Sequence, residues 1–301
     1  MKAKYVNPFT DFGFKKIFGQ EASKPMLIDF LRSLLPEANI VDLTFKDKEK
    51  LGKASEDRKA IYDIYCQDAD GKRIIVELQK AKQNYFKDRT VYYSTFPIQE
   101  QAETGDWNYE LKSVFCIGIL DFKFDDKHDT TRVKNEVDEV IHTVQLKDQN
   151  NRLFYKKLKF VYLEMPYFIK EEADLESRLD KWLYFIQHLE DFQTIPDLFN
   201  DDVFIQAFEK AEIAKYSEED RQDYEASLKT YRDLKGVIDT AFDEGKLEGK
   251  LEGKLEGKLE GKLEGKLEGK LEVARKMIVK GLTIKDISDL TGLAEHEIEN
   301  L

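Results

Sequence analysis

Three polar residues in two strand-like runs of the chain have the chemistry needed to bind a divalent metal ion. Asp63 belongs to the run IYDIYCQ, and Glu77 and Gln79 belong to the run RIIVELQ. Mg²⁺ prefers oxygen ligands and is commonly held by one or two carboxylates together with substrate phosphate. Such a site suits phosphodiester hydrolysis, in which a metal ion activates water and neutralises developing charge.

A glycine-containing turn between the two runs predicts a β-hairpin. Gly71 suits the left-handed last position of a three-residue loop, Ala69-Asp70-Gly71. Pairing from this turn places Asp63 opposite Glu77, and opposed residues share a face of the sheet. The predicted site face holds Asp63, Glu77 and Gln79, and the predicted opposite face holds Tyr62, Ile64, Val76 and Leu78.

The spacing alone leaves two readings of the carboxylate pair open. Opposed carboxylates repel each other across a strand pair, and a cation between them removes that cost. In the metal reading, the backbone carbonyl of Leu78 is a further ligand. In the other reading, which is the more common arrangement, Asp63 and Glu77 lie on a solvated face of an antiparallel sheet.

The order of the motifs resembles a known nuclease group. The pattern D-x13-E-x-Q on such a hairpin resembles the PD-(D/E)XK superfamily. The opening TDFGFKKIFG, the VELQ stretch before YFKDRTVYY, and the strand SVFCIGILDF are similar to the Rpn-type recombination-promoting nucleases, also labelled PD-(D/E)XK family transposases. The resemblance covers most of residues 1–170. It implies a restriction-endonuclease-like α/β fold and a DNA endonuclease that uses Mg²⁺ or Mn²⁺ and acts in recombination or in mobile elements.

The resemblance also implies roles for individual residues. Asp63 and Glu77 would hold the metal, and Gln79 occupies the place of the superfamily's lysine. Lysine can orient or help deprotonate the attacking water and stabilise charge, whereas glutamine can only form hydrogen bonds. Either the metal and another cation suffice, with Lys15 and Lys82 as the first candidates, or activity is low.

Four further residues are weaker candidates. Lys80 ranks below Lys15 and Lys82, since strand alternation points it away from Gln79. An acidic residue near the first helix can assist the site in the family, so Asp11 is either catalytic or a local turn or capping residue. Arg89 and Tyr93, at positions i and i+4 of a predicted helix, either face a phosphate or pack within the domain.

Hydrophobic periodicity gives the elements that position these residues. Residues 1–20 are predicted to be a loop and a short turn, and residues 23–35 a helix capped by Ser23. The predicted strands cover residues 41–45, 60–67, 73–79, 111–121, 137–146 and 157–164. The other predicted helices cover residues 84–102, a stripe from Leu175 to Leu189, and residues 197–215 and 217–243. The fold class is a mixed α/β sheet domain flanked by helices and followed by an all-α extension.

The chain divides by composition into four segments. Residues 1–170 form the nuclease-like domain and have a net charge of +2, from 29 Lys and Arg against 27 Asp and Glu. The acidity of the chain lies in residues 171–301, which have a net charge of −14. These residues comprise the helical extension 171–244, a spacer 245–272 and a tail 273–301.

The spacer consists of seven identical copies of GKLE. Each leucine advances about 40° around a helix from the one before, so the leucines form no fixed seam. Each glycine costs about 1 kcal/mol relative to alanine, which favours a semi-flexible spacer over a partner-binding helix. The tail is predicted to be three short helices around Gly281 and Gly292, which together look like a small helix-turn-helix. Its acidic last helix favours protein contact or self-association over DNA reading.

Composition limits which classes of protein the chain can belong to. No run approaches the ~20 apolar residues of a membrane span, and Met1–Phe18 lacks the features of a signal peptide, so we expect a cytoplasmic protein. Cys66 and Cys116 are expected to be buried free thiols, and the histidine spacing does not fit a zinc site. Three functions stay open: a DNA endonuclease, an RNA or structure-specific nuclease, and a catalytically weak nuclease fold that acts as a protein-interaction module.

Overall fold

A mixed six-stranded sheet lies at the centre of the chain, as the fold-class prediction requires. The computed structural model describes residues 3–47, 49–50, 60–102, 105–124 and 140–301. The sheet has the strand order β1-β4-β5-β6-β8-β7, and β2 and β3 form a separate pair. The strands are β1 (Leu43–Phe45), β2 (Glu49–Lys50), β3 (Ala60–Ile61), β4 (Ile64–Asp68), β5 (Arg73–Gln79), β6 (Val114–Leu120), β7 (Ile141–Lys147) and β8 (Leu153–Glu164).

Helices cover both faces of this sheet. The helices are α1 (Asp11–Phe18), α2 (Lys24–Leu34), α3 (Phe86–Gln99), α4 (Arg178–His188), α5 (Asp202–Ala211), α6 (Glu218–Val279), α7 (Ile284–Thr291) and α8 (Glu295–Glu299). The larger buried cluster joins one sheet face to α1, α2, α4 and α5, and a smaller cluster joins the other face to α3. The sheet is therefore the middle layer of the domain.

Helix α1 replaces the short turn that the sequence predicted. The side chain of Thr10 accepts a hydrogen bond from the Gly13 amide at 3.0 Å, which caps the start of the helix. Phe14, Ile17 and Phe18 lie at helical spacing and are buried. The prediction of a turn was wrong because this apolar spacing, although short, is sufficient once the core buries it.

Helix α2 forms where it was predicted, but Ser23 does not cap it through its side chain. The Ser23 hydroxyl instead donates to the carbonyl of Lys16 at 2.8 Å, which ties the start of α2 to α1. Pro25 lies in the first turn, where its missing amide costs no hydrogen bond.

The β4–β5 hairpin has the predicted register. Tyr65 pairs with Ile75, and the Asp68 amide donates to the Lys72 carbonyl at 3.0 Å. Gly71 has a φ of 84°, the left-handed conformation that the turn requires. The turn and the two-residue side-chain period therefore set the positions of all side chains along this hairpin.

Strands β5, β6 and β8 run parallel through the centre of the sheet. Every residue of β6 is buried, as the almost wholly apolar run SVFCIGIL predicted. Cys66 and Cys116 are buried and form no disulfide, which confirms that prediction.

The last two strands differ in their bounds from the prediction. The segment predicted as a strand at residues 137–146 is β7 from Ile141, and residues 137–139 lie outside the described part of the chain. Strand β8 begins at Leu153 and not at residue 157, because Leu153 and Tyr155 still pair with β7 across an irregular register.

The helical extension shares the core of the sheet domain. The Trp182 ring lies 5.5 Å from that of Phe18 and 4.4 Å from that of Phe204, measured between centroids. Residue 170 therefore marks the change from strands to helices along the chain, and one hydrophobic core continues across it. The predicted helix over residues 197–215 is shorter in the structure, where α5 is flanked by single 3₁₀ turns.

Contacts divide the chain into two compact units, Met1–Gly236 and Val237–Leu301. Helix α6 runs without a break through the GKLE repeat, where the sequence favoured a semi-flexible spacer. Lys, Leu and Glu are good helix formers, and the repeat contains no proline to end the helix. The repeat leucines from Leu247 to Leu267 are exposed, as expected for a stripe that forms no fixed seam.

The tail forms the predicted short helices. Thr283 caps α7, which ends at Gly292 in the left-handed conformation, and α8 follows Ala294. A small core of Ala274, Ile287, Leu293 and Ile298 holds these helices to the end of α6. Among the described residues, no helix combines the length and apolar character needed to cross a membrane.

Candidate active site

Asp63 and Glu77 meet at the open end of the β4–β5 hairpin. The chain bends at Asp63, one residue before β4 begins. The Asp63 amide donates to Glu77 Oε1 at 3.2 Å, and the Leu78 amide donates to Asp63 Oδ2 at 2.8 Å. These reciprocal hydrogen bonds hold the two carboxylates together in place of the regular ladder.

The bend also corrects one predicted side-chain direction. Tyr62 was expected on the face of Ile64, but its ring lies 5.3 Å from that of Tyr65 in the cluster beneath α3. Ile64, Val76 and Leu78 do lie in the opposite cluster, as predicted. Strand alternation fails at Tyr62 because β4 starts only after the bend.

Burial and mutual repulsion make this carboxylate pair reluctant to ionise fully. Burial, followed by the charge of Asp63, raises the pKa of Glu77 to about 8. Burial also raises the pKa of Asp63, although the Leu78 amide and the Lys15 charge oppose that shift. A proton or a cation between the two groups would relieve the repulsion, and this is a property of functional carboxylates.

A small apolar cavity beside Glu77 explains its burial. The cavity is lined by residues of β5, β6, β8 and α3, among them Cys116, Gly118, Tyr162 and Tyr93. Gly118 pairs with Glu77, and a Cβ at Gly118 would lie 2.9 Å from the Tyr162 ring. Glycine at this position therefore lets the tyrosine ring approach and form an apolar wall next to Glu77.

Helix α1 brings a cation to the pair. Lys15 Nζ lies 4.0 Å from Asp63 Oδ1 and 2.9 Å from Asp11 Oδ1. Lys15 is thus the predicted candidate that the structure places beside the carboxylates. Asp11 is exposed and contacts the site through Lys15.

Lys80, which the sequence ranked below Lys15 and Lys82, has a charge that interacts with the site carboxylates. Burial lowers its pKa, and the charges of Asp11 and Asp63 oppose that shift, so its ammonium group lies within their electrostatic influence. The low rank of Lys80 rested on strand alternation, which no longer applies because β5 ends at Gln79. Lys82 is exposed on the connection to α3, and its predicted phosphate contact stays a prediction.

Gln79 is buried between Glu77 and Arg89. Its Nε2 donates to Glu77 Oε2 at 3.3 Å, and its Oε1 accepts from Arg89 Nη2. Sequence reasoning placed Arg89 on a helix that could face the site, but the contact with Gln79 depends on where α3 packs. The Tyr93 ring packs against Tyr62 with centroids 5.6 Å apart, which is the packing alternative predicted for it.

The oxygen donors at this end of the hairpin fit a hard divalent cation. Within an extended strand, the N–H and C=O of one residue point to the same edge. Since the Leu78 amide points at Asp63, its carbonyl opens toward the same side as the carboxylates. No group of three His, Cys, Asp or Glu side chains suited to a metal occurs in the described residues, but Mg²⁺ commonly binds through one or two carboxylates.

Comparison with family models gives a match over residues 8–241 to the PD-(D/E)XK nuclease family transposases. The chain belongs to this family. The matched region contains the whole hairpin site, α1, α3 and nearly all of the helical extension, and it leaves out the whole GKLE repeat and the tail. No curated protein and no solved structure matches the chain. The family confirms the recognition drawn from the sequence motifs and supports a nuclease with a restriction-endonuclease-like sheet.

Proposed function

We propose that this nuclease is a metal-dependent DNA endonuclease that uses Mg²⁺ or Mn²⁺. The observation that carries the proposal is the half-buried pair of Asp63 and Glu77, held by hydrogen bonds from the Asp63 and Leu78 amides and short of compensating charge. Like charges held together in a partly buried place are costly unless a ligand offsets them. A divalent cation with a bound phosphate would do so.

In this proposal Asp63, Glu77 and the Leu78 carbonyl hold the cation. When bound, the cation supplies an activated water and neutralises charge on the phosphate. Gln79 offers amide hydrogens that can fix the position of a water or a phosphate oxygen. Lys15, next to Asp63, supplies a positive charge toward a phosphate oxygen as negative charge develops.

DNA is the proposed substrate class because the family is one of nucleases named as transposases. A role in recombination or in mobile elements rests on the same ground. A cytoplasmic site of action agrees with the two buried, unpaired cysteines. Self-association through the C-terminal helices stays a prediction from the sequence.

The test is cleavage of supercoiled plasmid by the full chain with Mg²⁺, Mn²⁺ or EDTA. The variants Asp63→Ala and Glu77→Ala, each checked for folding, should lose cleavage by at least about 100-fold, the upper end of what even supporting groups around a metal contribute. A single-stranded RNA of matched sequence in parallel reactions separates a DNA from an RNA nuclease. Absence of cleavage by folded wild-type protein with either metal would contradict the proposal and favour an interaction module.

A further inference from the structure

The Gln79 side chain has one amide orientation that its partners permit. A guanidinium group can only donate hydrogen bonds, so the atom of Gln79 that faces Arg89 has to be its oxygen. Gln79 must therefore turn its oxygen to Arg89 and its nitrogen to Glu77, as the structure has it. With its oxygen directed at Arg89, Gln79 presents N–H groups to the carboxylate side of the site.

Arg89 is itself held in place on α3. Its Nη1 donates to Gln83 Oε1 at 2.5 Å. Its guanidinium carbon lies 5.6 Å from the centre of the Phe86 ring and 5.8 Å from that of Tyr93. Arginine stacks on aromatic rings and loses little freedom when its planar fork forms hydrogen bonds. The guanidinium is thus prepared to hold the Gln79 oxygen before any substrate arrives.

We propose that Arg89 is a positioning residue that acts through Gln79, and that the two together replace the signature lysine. The positive charge of Arg89 withdraws electron density from the Gln79 oxygen, which strengthens the donor character of the amide N–H groups. Glu77 lies within the field of this charge, since Arg89 lowers the pKa of that carboxyl against the larger effect of burial. The positive charge that the signature lysine would bring to the site is carried by Arg89, which lies behind Gln79.

The catalytic part of this proposal rests on the proposed nuclease function. The contact between Arg89 and Gln79 does not depend on that function. Two other roles for Arg89 make different predictions. A direct phosphate contact would weaken DNA binding and reduce its salt dependence while sparing the turnover rate. A purely structural role on α3 would lower stability and leave the Gln79 amide held by Glu77.

Arg89→Met keeps an unbranched, flexible side chain and removes the charge and the hydrogen-bond donors. In single-turnover cleavage with saturating enzyme, we expect a rate loss of about 10–100-fold, the range for groups that support metal ligands. The double variant Arg89→Met with Gln79→Lys should recover most of that loss, because lysine brings its own charge. Gln79→Lys alone should not exceed wild type, because its ammonium would lie against Arg89.

Lys87→Met is the matched control. Lys87 is exposed two residues earlier on α3, and its ammonium lies over the Phe124 ring. This variant removes the same charge from the same helix, so its cleavage rate should stay within about twofold of wild type, as for surface substitutions away from special features. A comparable rate loss in Lys87→Met and Arg89→Met would assign the effect to general DNA attraction and overturn the proposal.

A readout without cleavage separates this proposal from the proposed function. In ¹⁵N-labelled protein, the side-chain amide protons of Gln79, assigned by their loss in Gln79→Lys, should exchange slowly in wild type and fast in Arg89→Met. Fast exchange in wild type, or slow exchange in both, would overturn the positioning role whatever the activity. Slow exchange that depends on Arg89, in a protein that cleaves no DNA, would overturn the catalytic role alone. If Arg89→Met cleaves slowly and Gln79→Lys does not rescue it, the catalytic role of Arg89 would likewise be overturned.

Discussion

Both ends of the β4–β5 hairpin carry acidic side chains that are buried or half-buried, and their surroundings differ. At the turn, Asp68 is only 5% exposed and accepts hydrogen bonds from the amides of Asp70 and Lys72 at 3.0 and 2.8 Å. The ammonium group of Lys72 lies 3.1 Å from its other oxygen. At the open end, Asp63 and Glu77 face each other, and the nearest cation to Asp63 described above, on Lys15, lies 4.0 Å away.

The difference separates a structural carboxylate, Asp68, from the pair that we propose to be functional. Donors surround Asp68 on both oxygens, so its burial is compensated within the chain. The open end keeps a like-charge repulsion that nearby residues only partly offset, and such uncompensated charge is characteristic of sites that bind ligands. The predictions below use equivalent substitutions at the two ends.

The largest expected effect comes from replacing each carboxylate by its neutral amide. Glu77→Gln should reduce plasmid cleavage by at least about 100-fold, since even supporting groups of metal sites reach that value. It should leave the free energy of unfolding at pH 8 within about 1 kcal/mol of wild type, because the lost repulsion with Asp63 offsets the amide hydrogen that then faces the Asp63 or Gln79 donor. Asp68→Asn should lower the free energy of unfolding by about 1–3 kcal/mol, because one amide hydrogen would meet donors.

Asp68→Asn should still cleave DNA at the wild-type rate per folded molecule. Chemical denaturation and cleavage assays on both variants check the two halves of this prediction. If Glu77→Gln destabilised the protein as much as Asp68→Asn did, the two ends would play the same structural role and the distinction would be lost.

A smaller effect is expected in the pH dependence of stability without metal. The folded protein raises the pKa of Glu77 from 4.5 to about 8, so the folded state binds this proton more tightly than the unfolded state does. The resulting stabilisation is complete below pH 4.5 and is lost as the pH rises through 8. Between pH 5.5 and 8.5 we expect the free energy of unfolding of wild type to fall by about 1–3 kcal/mol more than that of Glu77→Gln.

Urea denaturation in EDTA at both pH values measures this difference. The control is Glu77→Gln itself, which lacks the titrating group and keeps the other carboxylates. Parallel pH profiles for wild type and Glu77→Gln would mean that Glu77 titrates as an ordinary solvated carboxyl, contrary to its burial in the structure.

The smallest expected effect lies at the turn. Gly71 has a φ of 84°, and the space around it accepts a methyl group, since the nearest atom to an added Cβ lies 3.4 Å away. Gly71→Ala should therefore cost only the backbone strain, about 1 kcal/mol, with cleavage unchanged. A loss of cleavage in a folded Gly71→Ala protein would indicate that the two ends of the hairpin are coupled.

Sequence reasoning located the hairpin site because its signals are local. Gly71 sets the turn, and the two-residue period carries the register from there to Asp63 and Glu77. The same rule placed Tyr62 on the wrong face, because alternation ends where the chain leaves the strand. The contact of Arg89 with Gln79 depends on how α3 packs over the sheet, which no local pattern contains.

The measurement that tests the central claim most directly is Mn²⁺ binding followed by electron paramagnetic resonance. We expect titrated wild-type protein to bind Mn²⁺ specifically, and we expect Mg²⁺ to compete for the site. Asp68→Asn should bind Mn²⁺ as wild type does, and Asp63→Asn and Glu77→Gln should lose the site. Equal Mn²⁺ binding by all four proteins, or none by folded wild type, would contradict the assignment of a metal site to the open end of the hairpin.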